Sequence, residues 1–112
     1  MEKRDIIEEL LKHRYAHRGL HRKPEIPENS MEAFRRAIAA GYGIELDVHL
    51  TSDRKLAVIH DSGLKRTCGV DLQIEDLSLE KAQQFFLEES REVIPDFEDV
   101  LQTVSGLSLI HI

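Results

Sequence analysis

The chain has 112 residues, of which 41% are hydrophobic and 32% are charged, and this length and composition are typical of one small globular domain. Its 15 basic and 21 acidic residues give a net charge of −6, which disfavours nonspecific binding to nucleic acid or to anionic membrane surfaces. Cys68 is the only cysteine, so an intrachain disulfide and a zinc–thiolate cluster are both excluded.

The sequence carries no recognisable targeting or membrane segment. Residues 1–5 are mostly charged and lack the apolar core of a signal peptide, and no apolar run approaches the roughly 20 residues of a membrane-spanning helix. We therefore expect a cytoplasmic protein without stable membrane insertion. The sequence does not indicate an oligomeric state.

The first third of the chain predicts helix, strand, loop and helix. Isoleucines and leucines recur at helical spacing among charges over about residues 2–12, which indicates an amphipathic helix. A strand is predicted near residues 13–17, and the two prolines of residues 19–28 then require a loop. Asn29, with Glu32 three residues later, resembles a capping box that begins the first core helix.

Gly41 can end this helix in a left-handed conformation, and a strand is predicted directly after it. Residues 44–48 alternate apolar and polar side chains, so Glu45 and Asp47 fall on the polar face of the strand.

A β-hairpin is predicted to follow, because residues 56–59 are apolar and partly β-branched and a short turn precedes them. If Asp53 and Arg54 form a two-residue loop, the register places Asp47 directly opposite His60, with the Cβ atoms about 4.5–5.5 Å apart.

Two further helices and a strand are predicted in the second half of the chain. Ser78 can cap a helix whose buried face includes Phe86. Pro95 suits the first helical position of another core helix, and Asp96 suits its positive start. Residues 107–112 begin another strand. The alternation of strands and helices predicts an α/β fold with a parallel sheet.

The paired acids and the opposing histidine are candidates for a metal site. Glu45 and Asp47 lie two residues apart on one strand face, where they can hold one hard cation, Mg²⁺ or Ca²⁺ rather than zinc, through oxygen ligands. Two acids alone are more often a solvated strand face. The predicted position of His60 opposite Asp47 favours the metal site.

A histidine and an arginine at the end of the first predicted strand are candidates for acid/base chemistry and phosphate binding. His17 can act as a general acid or base, because the pKa of histidine is ordinarily about 6.5. Arg18 offers a planar pair of donors to a phosphoryl oxygen, and a salt bridge is its alternative role. Arg66 could also touch a substrate phosphate. His21 and His49 are better explained by exposure to solvent.

Seven short motifs occur in order along the chain. They are Ala16-His17-Arg18-Gly19, Pro27-Glu28-Asn29-Ser30, Ala33-Phe34, Gly43-Ile44-Glu45-Leu46-Asp47-Val48, Leu50-Thr51-x-Asp53, His60-Asp61-x-x-Leu64-x-Arg66 and Ile94-Pro95. In these motifs the chain resembles the bacterial glycerophosphodiester phosphodiesterases, over nearly all of its length from Tyr15.

The resemblance implies a TIM-barrel fold and the metal-dependent hydrolysis of small-molecule glycerophosphodiesters to glycerol 3-phosphate and an alcohol, a reaction of lipid metabolism. It implies that His17 and His60 form the acid/base pair and that Arg18 binds the substrate phosphate. Glu45 and Asp47 would bind the divalent cation, Mg²⁺ or Ca²⁺.

The chain departs from the family pattern in length. A (β/α)₈ barrel typically needs about 250 residues, so we expect residues 1–112 to form a partial domain, the N-terminal part of the barrel, truncated within an early strand. The third acidic ligand of the family, in a Glu-x-Lys motif, is expected just beyond Ile112, and an alternative alignment puts His111 in its place. We therefore expect little or no activity from this chain alone.

Two alternative functions stay open at this point. One is a related barrel phospholipase of the sphingomyelinase D type, which shares a similar histidine and Glu-x-Asp arrangement. The other is a noncatalytic fragment that binds metal and phosphate without turnover.

Overall fold

A computed structural model of the chain describes residues 15–106 and 110–112. The helix predicted over residues 2–12 and the beginning of the strand predicted near residues 13–17 lie outside them. The described residues form the strands β1 (Tyr15–His17), β2 (Gly43–Glu45), β3 (Val48–Leu50), β4 (Leu56–Val58) and β5 (Ile110–His111), the helices α1 (Met31–Ala39), α2 (Lys65–Cys68), α3 (Leu79–Ala82) and α4 (Phe97–Val104), and a 3-10 turn at Ile74–Asp76.

Three of the strands form a parallel sheet in the order β1-β2-β5. In its register His17 pairs with Glu45, and Glu45 pairs with His111 on the other side. The α/β class with a parallel sheet is therefore confirmed. Because parallel strands run the same way, the side chains at the carboxyl ends of β1 and β2 meet at one edge of the sheet.

Helix α1 begins one residue later than the sequence predicts. Ser30, not Asn29, is the N-cap, and its Oγ accepts a hydrogen bond from the Ala33 backbone N–H at 3.1 Å. Asn29 cannot cap the helix because its backbone is left-handed (φ 54°); its side chain instead reaches Asp47. The end of α1 is as predicted, since Gly41 (φ 81°) follows the helix C-cap.

The predicted hairpin is present, but the predicted register is wrong by one residue. Val48 pairs with Val58, so the continuing ladder brings Ile59 to Asp47, and the Ile59 backbone N–H donates to the Asp47 carbonyl at 3.0 Å. The turn is closed by the Thr51 N–H and the Lys55 carbonyl at 2.9 Å and therefore holds three residues, with Arg54 left-handed at φ 61°.

The long strand predicted over residues 44–48 is divided in two. β2 belongs to the parallel sheet, whereas β3 pairs with β4 in the antiparallel hairpin. Leu46 and Asp47 connect the end of β2, which pairs in the parallel sheet, to the start of β3, which pairs in the hairpin. Leu46 is fully buried and its N–H still donates to the His111 carbonyl at 2.9 Å.

The second half of the chain has shorter helices than predicted. Ser78 caps α3, but this helix has only four residues, and Phe86 is 53% exposed and forms a β-bridge to Val93 instead. Pro95 precedes α4 and is not its first helical residue, because Asp96 is the N-cap. The stretch after His60 contains α2 and the 3-10 turn.

Two groups of buried apolar side chains hold the elements together. The first lies between the sheet, the hairpin, α1 and α4 and consists of Ala16, Phe34, Ala37, Ile44, Leu46, Val58, Val100 and Val104. The second supports the segment from β4 to Pro95 and consists of Ala57, Ile59, Leu64, Ile74, Leu79, Ala82, Leu87 and Ile94. Among the described residues, no helix is long and apolar enough to cross a membrane. The cytoplasmic location stays a prediction.

Candidate active site

The ends of β1 and β2 bring a histidine and a carboxylate together. His17 Nε2 lies 3.4 Å from Glu45 Oε2, and the two residues are paired in the sheet register. The His17 side chain is 69% exposed, whereas that of Glu45 is 20% exposed. The sheet therefore presents an accessible imidazole beside a largely enclosed carboxylate.

Arg18 turns sharply out of β1 and is held by backbone hydrogen bonds on both sides. Its backbone is left-handed (φ 56°), its N–H donates to the Glu45 carbonyl at 2.8 Å, and its carbonyl accepts from the Asn29 N–H at 2.8 Å. The next residue, Gly19 (φ 82°), packs so closely on α1 that an added Cβ would lie 2.7 Å from the Ala33 Cβ. Only glycine fits there.

The Arg18 side chain reaches Asp47, together with Asn29. Arg18 Nε lies 3.6 Å from Asp47 Oδ2, and Asn29 Nδ2 donates to the same oxygen at 3.3 Å. The left-handed backbone of Asn29 thus places an amide beside the predicted metal ligand.

Three polar atoms around this point are buried and lack a hydrogen-bond partner among the described residues: Arg18 Nε, Asn29 Oδ1 and Glu45 Oε2. The approach of Glu45 Oε2 to His17 does not have hydrogen-bond geometry. A buried polar atom without a partner costs about 1–3 kcal/mol. The two partnerless oxygens could accept a cation, and the partnerless Arg18 N–H could donate to an anion. Together they indicate a binding place for a cation with a bound anion, such as a phosphate.

The oxygen atoms at this edge fit a hard divalent cation. Glu45 and Asp47 supply carboxylates, and Asn29 supplies an amide oxygen, the ligand types preferred by Mg²⁺ and Ca²⁺. Within residues 15–106 and 110–112, no three His, Cys, Asp or Glu side chains gather as a metal site.

A second carboxylate, Glu28, is almost completely buried, with 3% exposure, and three cations surround it. Arg18 contributes one contact at 3.0 Å, Lys23 another at 3.0 Å, and Arg66 two hydrogen bonds at 2.7 and 3.0 Å. The hydrogen bonds from Arg66, followed by that from Lys23, lower the pKa of Glu28 to about 2. Glu28 is therefore a fixed negative charge throughout the physiological range.

Arg66 connects Glu28 to the second candidate catalytic histidine. Its Nε donates to Asp61 Oδ2 at 2.8 Å and its Nη2 donates to Asp61 Oδ1 at 3.1 Å. Asp61 Oδ1 in turn lies 2.8 Å from His60 Nδ1. Arg66, and then His60, hold the pKa of Asp61 well below its usual range.

His60 is not opposite Asp47, because the three-residue hairpin turn shifts the register. It follows β4 by two residues, and its side chain is 45% exposed. The ring of the half-buried His49 lies with Nε2 2.7 Å from the His60 carbonyl, so this nitrogen carries the proton and donates. His49, expected to be solvent-exposed, instead holds the backbone at the histidine.

The remaining sequence candidates are placed as follows. His111 stands beside Glu45 in the sheet register, but its ring packs edge-to-face on Tyr15, with the ring centroids 5.9 Å apart. His21 is exposed. Lys23 bridges Glu28 and Glu88, whose carboxylate lies 3.4 Å from its Nζ.

Sequence reasoning missed the central place of Glu28 and Asn29. Glu28 entered only as part of a family motif and Asn29 only there and as a predicted helix cap, because a buried acid in a loop has no periodicity that would reveal it. The available signal was the position of Glu28 directly after Pro27, in a loop that also carries Lys23 and follows Arg18.

Fold and site together define a βα protein with histidine, arginine and carboxylate side chains gathered at the carboxyl edge of a parallel sheet. The sequence model of the glycerophosphoryl diester phosphodiesterase family matches residues 17–110, and the chain belongs to this family.

Three known proteins illustrate the similarity. A glycerophosphodiester phosphodiesterase from Bacillus altitudinis is 46% identical over 101 residues, which are 84% of this chain and 40% of that protein. The structure of a glycerophosphoryl diester phosphodiesterase from Parabacteroides distasonis matches 88% of this chain and 36% of its own, with a TM-score of 0.80 and 28% identity. A phosphodiesterase from Oleispira antarctica, in complex with the product sn-glycerol-3-phosphate, matches 88% of this chain and 42% of its own, with a TM-score of 0.76 and 25% identity.

These similarities confirm the fold and the family that the motifs predict. The chain has the architecture of the N-terminal part of a TIM barrel and is homologous to a family of enzymes. It spans only about two fifths of the length of these relatives.

Proposed function

We propose that the protein to which this chain belongs hydrolyses glycerophosphodiesters to glycerol 3-phosphate and an alcohol, with a divalent cation. The observation that carries this proposal is the set of buried, partnerless atoms of Arg18, Asn29 and Glu45 beside His17. The relative from Oleispira antarctica, which holds sn-glycerol-3-phosphate, supports the product class.

The charges of the site explain why a cation is needed. Glu45 and Asp47 would repel an anionic phosphodiester, and Arg18 alone offsets only one of these charges. A divalent cation held by Glu45 and Asp47 would offset the repulsion and withdraw charge from the phosphoryl oxygens. Arg18 already shares a contact with Asp47, so it lies where it can donate to a phosphoryl oxygen of the same substrate.

His17 and His60 would move the two protons of the reaction. One imidazole removes a proton from the attacking water while the new P–O bond forms, and the other gives a proton to the leaving alcohol oxygen as the old P–O bond breaks. His60 carries its Nδ1 proton against Asp61, which leaves Nε2 to accept or donate the reacting proton. The negative Asp61 stabilises the imidazolium that forms, as a carboxylate does in other acid/base pairs.

The 112-residue chain alone is proposed to have little or no activity. A barrel site is assembled from loops that follow several strands, and this chain spans 40% of the length of its curated relative from Bacillus altitudinis. Tests of function therefore use the encoded protein, meaning the product of the complete reading frame that contains these residues.

The test is hydrolysis of glycerophosphocholine by the encoded protein with Mg²⁺, with Ca²⁺ or with EDTA. We expect cation-dependent release of glycerol 3-phosphate, and a loss of at least 10²-fold in kcat in His17→Ala and in His60→Ala, about the contribution of one acid/base group. The exposed His21→Ala is the matched control and should retain activity. Activity that survives in both catalytic variants would contradict the proposal.

The same assay separates the two alternatives. Faster hydrolysis of sphingomyelin than of glycerophosphocholine would favour the sphingomyelinase D type. Cation-dependent binding of glycerol 3-phosphate without hydrolysis of either substrate would favour a noncatalytic binding protein.

A further inference from the structure

We propose that Arg66 is a positioning residue that fixes the acid/base histidine His60 relative to the phosphate-binding Arg18, through the buried carboxylate of Glu28. This proposal rests on the proposed function for the roles of His60 and Arg18. The link itself rests on four hydrogen bonds of Arg66, which join the loop before α1 to the residues after β4, across 38 positions of the sequence.

The hydrogen bonds of Arg66 leave it little capacity for substrate. A guanidinium has five N–H groups, and those of Arg66 make four hydrogen bonds, two to Glu28 and two to Asp61. One N–H remains, so Arg66 could offer a pair of donors to a phosphate only by breaking this arrangement. The structure therefore favours positioning over the phosphate contact that the sequence suggested.

Glu28 is the point at which the two halves of the site meet. Its Oε2 accepts from Arg18 Nη1 at 3.0 Å and from Arg66 Nη2 at 3.0 Å, so a single buried oxygen fixes both guanidinium groups. Such a carboxylate is tolerated in the interior only because cations surround it. Movement of Arg66 would therefore be transmitted to Arg18.

Asp61 carries the effect of Arg66 to the imidazole. The two hydrogen bonds from Arg66 fix the plane of the Asp61 carboxylate, and this carboxylate then accepts from His60 Nδ1. A carboxylate bound to Nδ1 selects the tautomer with the proton on that nitrogen. Lysine cannot replace arginine here, because it offers a point charge in place of a planar fork.

The experiment compares Arg66→Lys with Lys65→Met in the encoded protein. Lys65 is exposed on the same short helix, so its variant is a control for a change of charge beside the site. Two quantities are measured: the steady-state kinetics of glycerophosphodiester hydrolysis and the tautomer of His60, from the ¹⁵N chemical shifts of its ring. Asp61→Asn is a second variant, which leaves the hydrogen bonds of Arg66 to Glu28 in place and weakens the link from Arg66 through residue 61 to His60.

In Arg66→Lys and in Asp61→Asn we expect kcat to fall about 10–100-fold with little change in KM, a loss typical of groups that orient an active side chain. His60 should lose its preference for the Nδ1–H tautomer in both. Lys65→Met should match the parent protein. A KM that rises with unchanged kcat in Arg66→Lys, or an unchanged tautomer in both variants, would overturn the proposal.

The tautomer does not require turnover, so it separates this proposal from the proposed function. If the parent protein hydrolyses nothing but His60 still shifts its tautomer in both variants, the proposed function fails and the link through Arg66 stands. If the parent is active and neither variant changes the tautomer, the link fails and the proposed function stands.

Discussion

The two sides of the candidate site differ in how completely their charges are paired. Around Glu28 the chain pairs three cations (Arg18, Lys23 and Arg66) with three carboxylates (Glu28, Asp61 and Glu88). Around Glu45, three buried atoms have no hydrogen-bond partner among the described residues, namely Glu45 Oε2, Asn29 Oδ1 and Arg18 Nε, whereas among the described residues of the first side this is true of Glu88 Oε2 alone. The first side is organised by the chain itself, and the second requires something that the described chain does not supply.

This difference suggests different roles for the two sides, positioning for the paired side around Glu28 and cation binding for the unpaired side around Glu45. The paired side fixes positions, because Glu28, Arg66 and Asp61 are each held by more than one partner there. The unpaired side at Glu45 and Asp47 keeps its negative charge available to a cation. Arg18 belongs to both, since its Nη1 donates to Glu28 at 3.0 Å while its buried Nε has no hydrogen-bond partner among the described residues. Changes on the paired side should therefore alter stability, and changes on the unpaired side should alter cation binding.

The largest effect is expected from Glu28→Gln. The substitution removes the buried charge that three cations share, so we expect the free energy of unfolding to fall by about 3–5 kcal/mol, the usual cost of breaking a buried ion pair. Urea unfolding of the encoded protein, followed by circular dichroism, measures this loss.

Glu25→Gln is the matched control for Glu28→Gln. Glu25 lies three residues earlier in the same loop and is exposed, so its substitution should change stability by less than about 0.5 kcal/mol. Equal losses in the two variants would show that the paired side does not hold the site.

A smaller effect is expected from Gly19→Ala, which tests whether the turn after Arg18 is tightly packed. The new methyl group would meet Ala33 at 2.7 Å, and the left-handed backbone adds strain. We expect a loss of about 3 kcal/mol, the sum of about 1 for the backbone and about 2 for overpacking. Thermal unfolding measures it.

Gly41→Ala separates the two contributions to this loss. Gly41 has nearly the same φ, 81°, but open space where its Cβ would lie. Its variant should lose only the backbone part, about 1 kcal/mol. Similar losses at the two positions would mean that contact with Ala33 is not what holds the turn.

Acid should lower the stability of the unsubstituted protein, because it protonates the carboxylates of the paired side. The folded-state pKa of Glu28 is about 2, below its ordinary value of 4.5, so this carboxylate stabilises the fold above about pH 4.5 and the stabilisation is lost as the pH falls towards 2. The lowered pKa of Asp61 acts in the same direction. We expect the urea midpoint to fall through this window.

Glu28→Gln should flatten the same pH dependence, because the group that takes up the proton is gone. The measurement is a series of urea midpoints between pH 5 and pH 2 for both proteins. Parallel curves would assign the acid sensitivity to other carboxylates.

Prediction from sequence succeeded where a periodic pattern exists and failed where loop geometry decides. The alternation around Glu45 and the strand that ends at His17 predicted the two strands β2 and β1, and the structure pairs these two residues. The register of the hairpin was wrong because Thr51 and Asp53 close a three-residue turn, with Asp53 also accepting from the Leu79 N–H at 3.1 Å. No local sequence pattern predicts this hydrogen bond, because Asp53 and Leu79 lie 26 positions apart in the chain.

The buried charges were missed for a related reason. Acidic and basic residues in a loop are ordinarily solvated, so their composition predicts exposure and not a shared ion cluster. Glu28 and Arg66 meet only when the loop before α1 and the residues after β4 are both in place. The sequence alone therefore predicts the residue types of the site better than the links among them.

The smallest effect tests the unpaired side through Asn29→Gly. Glycine keeps the left-handed backbone at φ 54° without strain and removes the amide whose Oδ1 has no partner. If that oxygen helps to hold a cation, the affinity for Mg²⁺ or Ca²⁺ should fall about tenfold, which corresponds to about 1.4 kcal/mol. The shift of the unfolding temperature with added cation measures it, since a ligand that binds only the folded state stabilises it by an amount that grows with the logarithm of the affinity.

Arg54→Gly is the matched control for this last variant, because Arg54 has a similar φ of 61° in the exposed hairpin turn. Both substitutions have the same effect on the backbone, so only the loss of the Asn29 side chain should weaken the response to cation. An equal response in the two variants would remove Asn29 from the cation site and leave Glu45 and Asp47 as the candidate ligands. A weaker response in Asn29→Gly alone would show that the partnerless oxygen is a ligand position, and that the difference between the two sides of the site is functional.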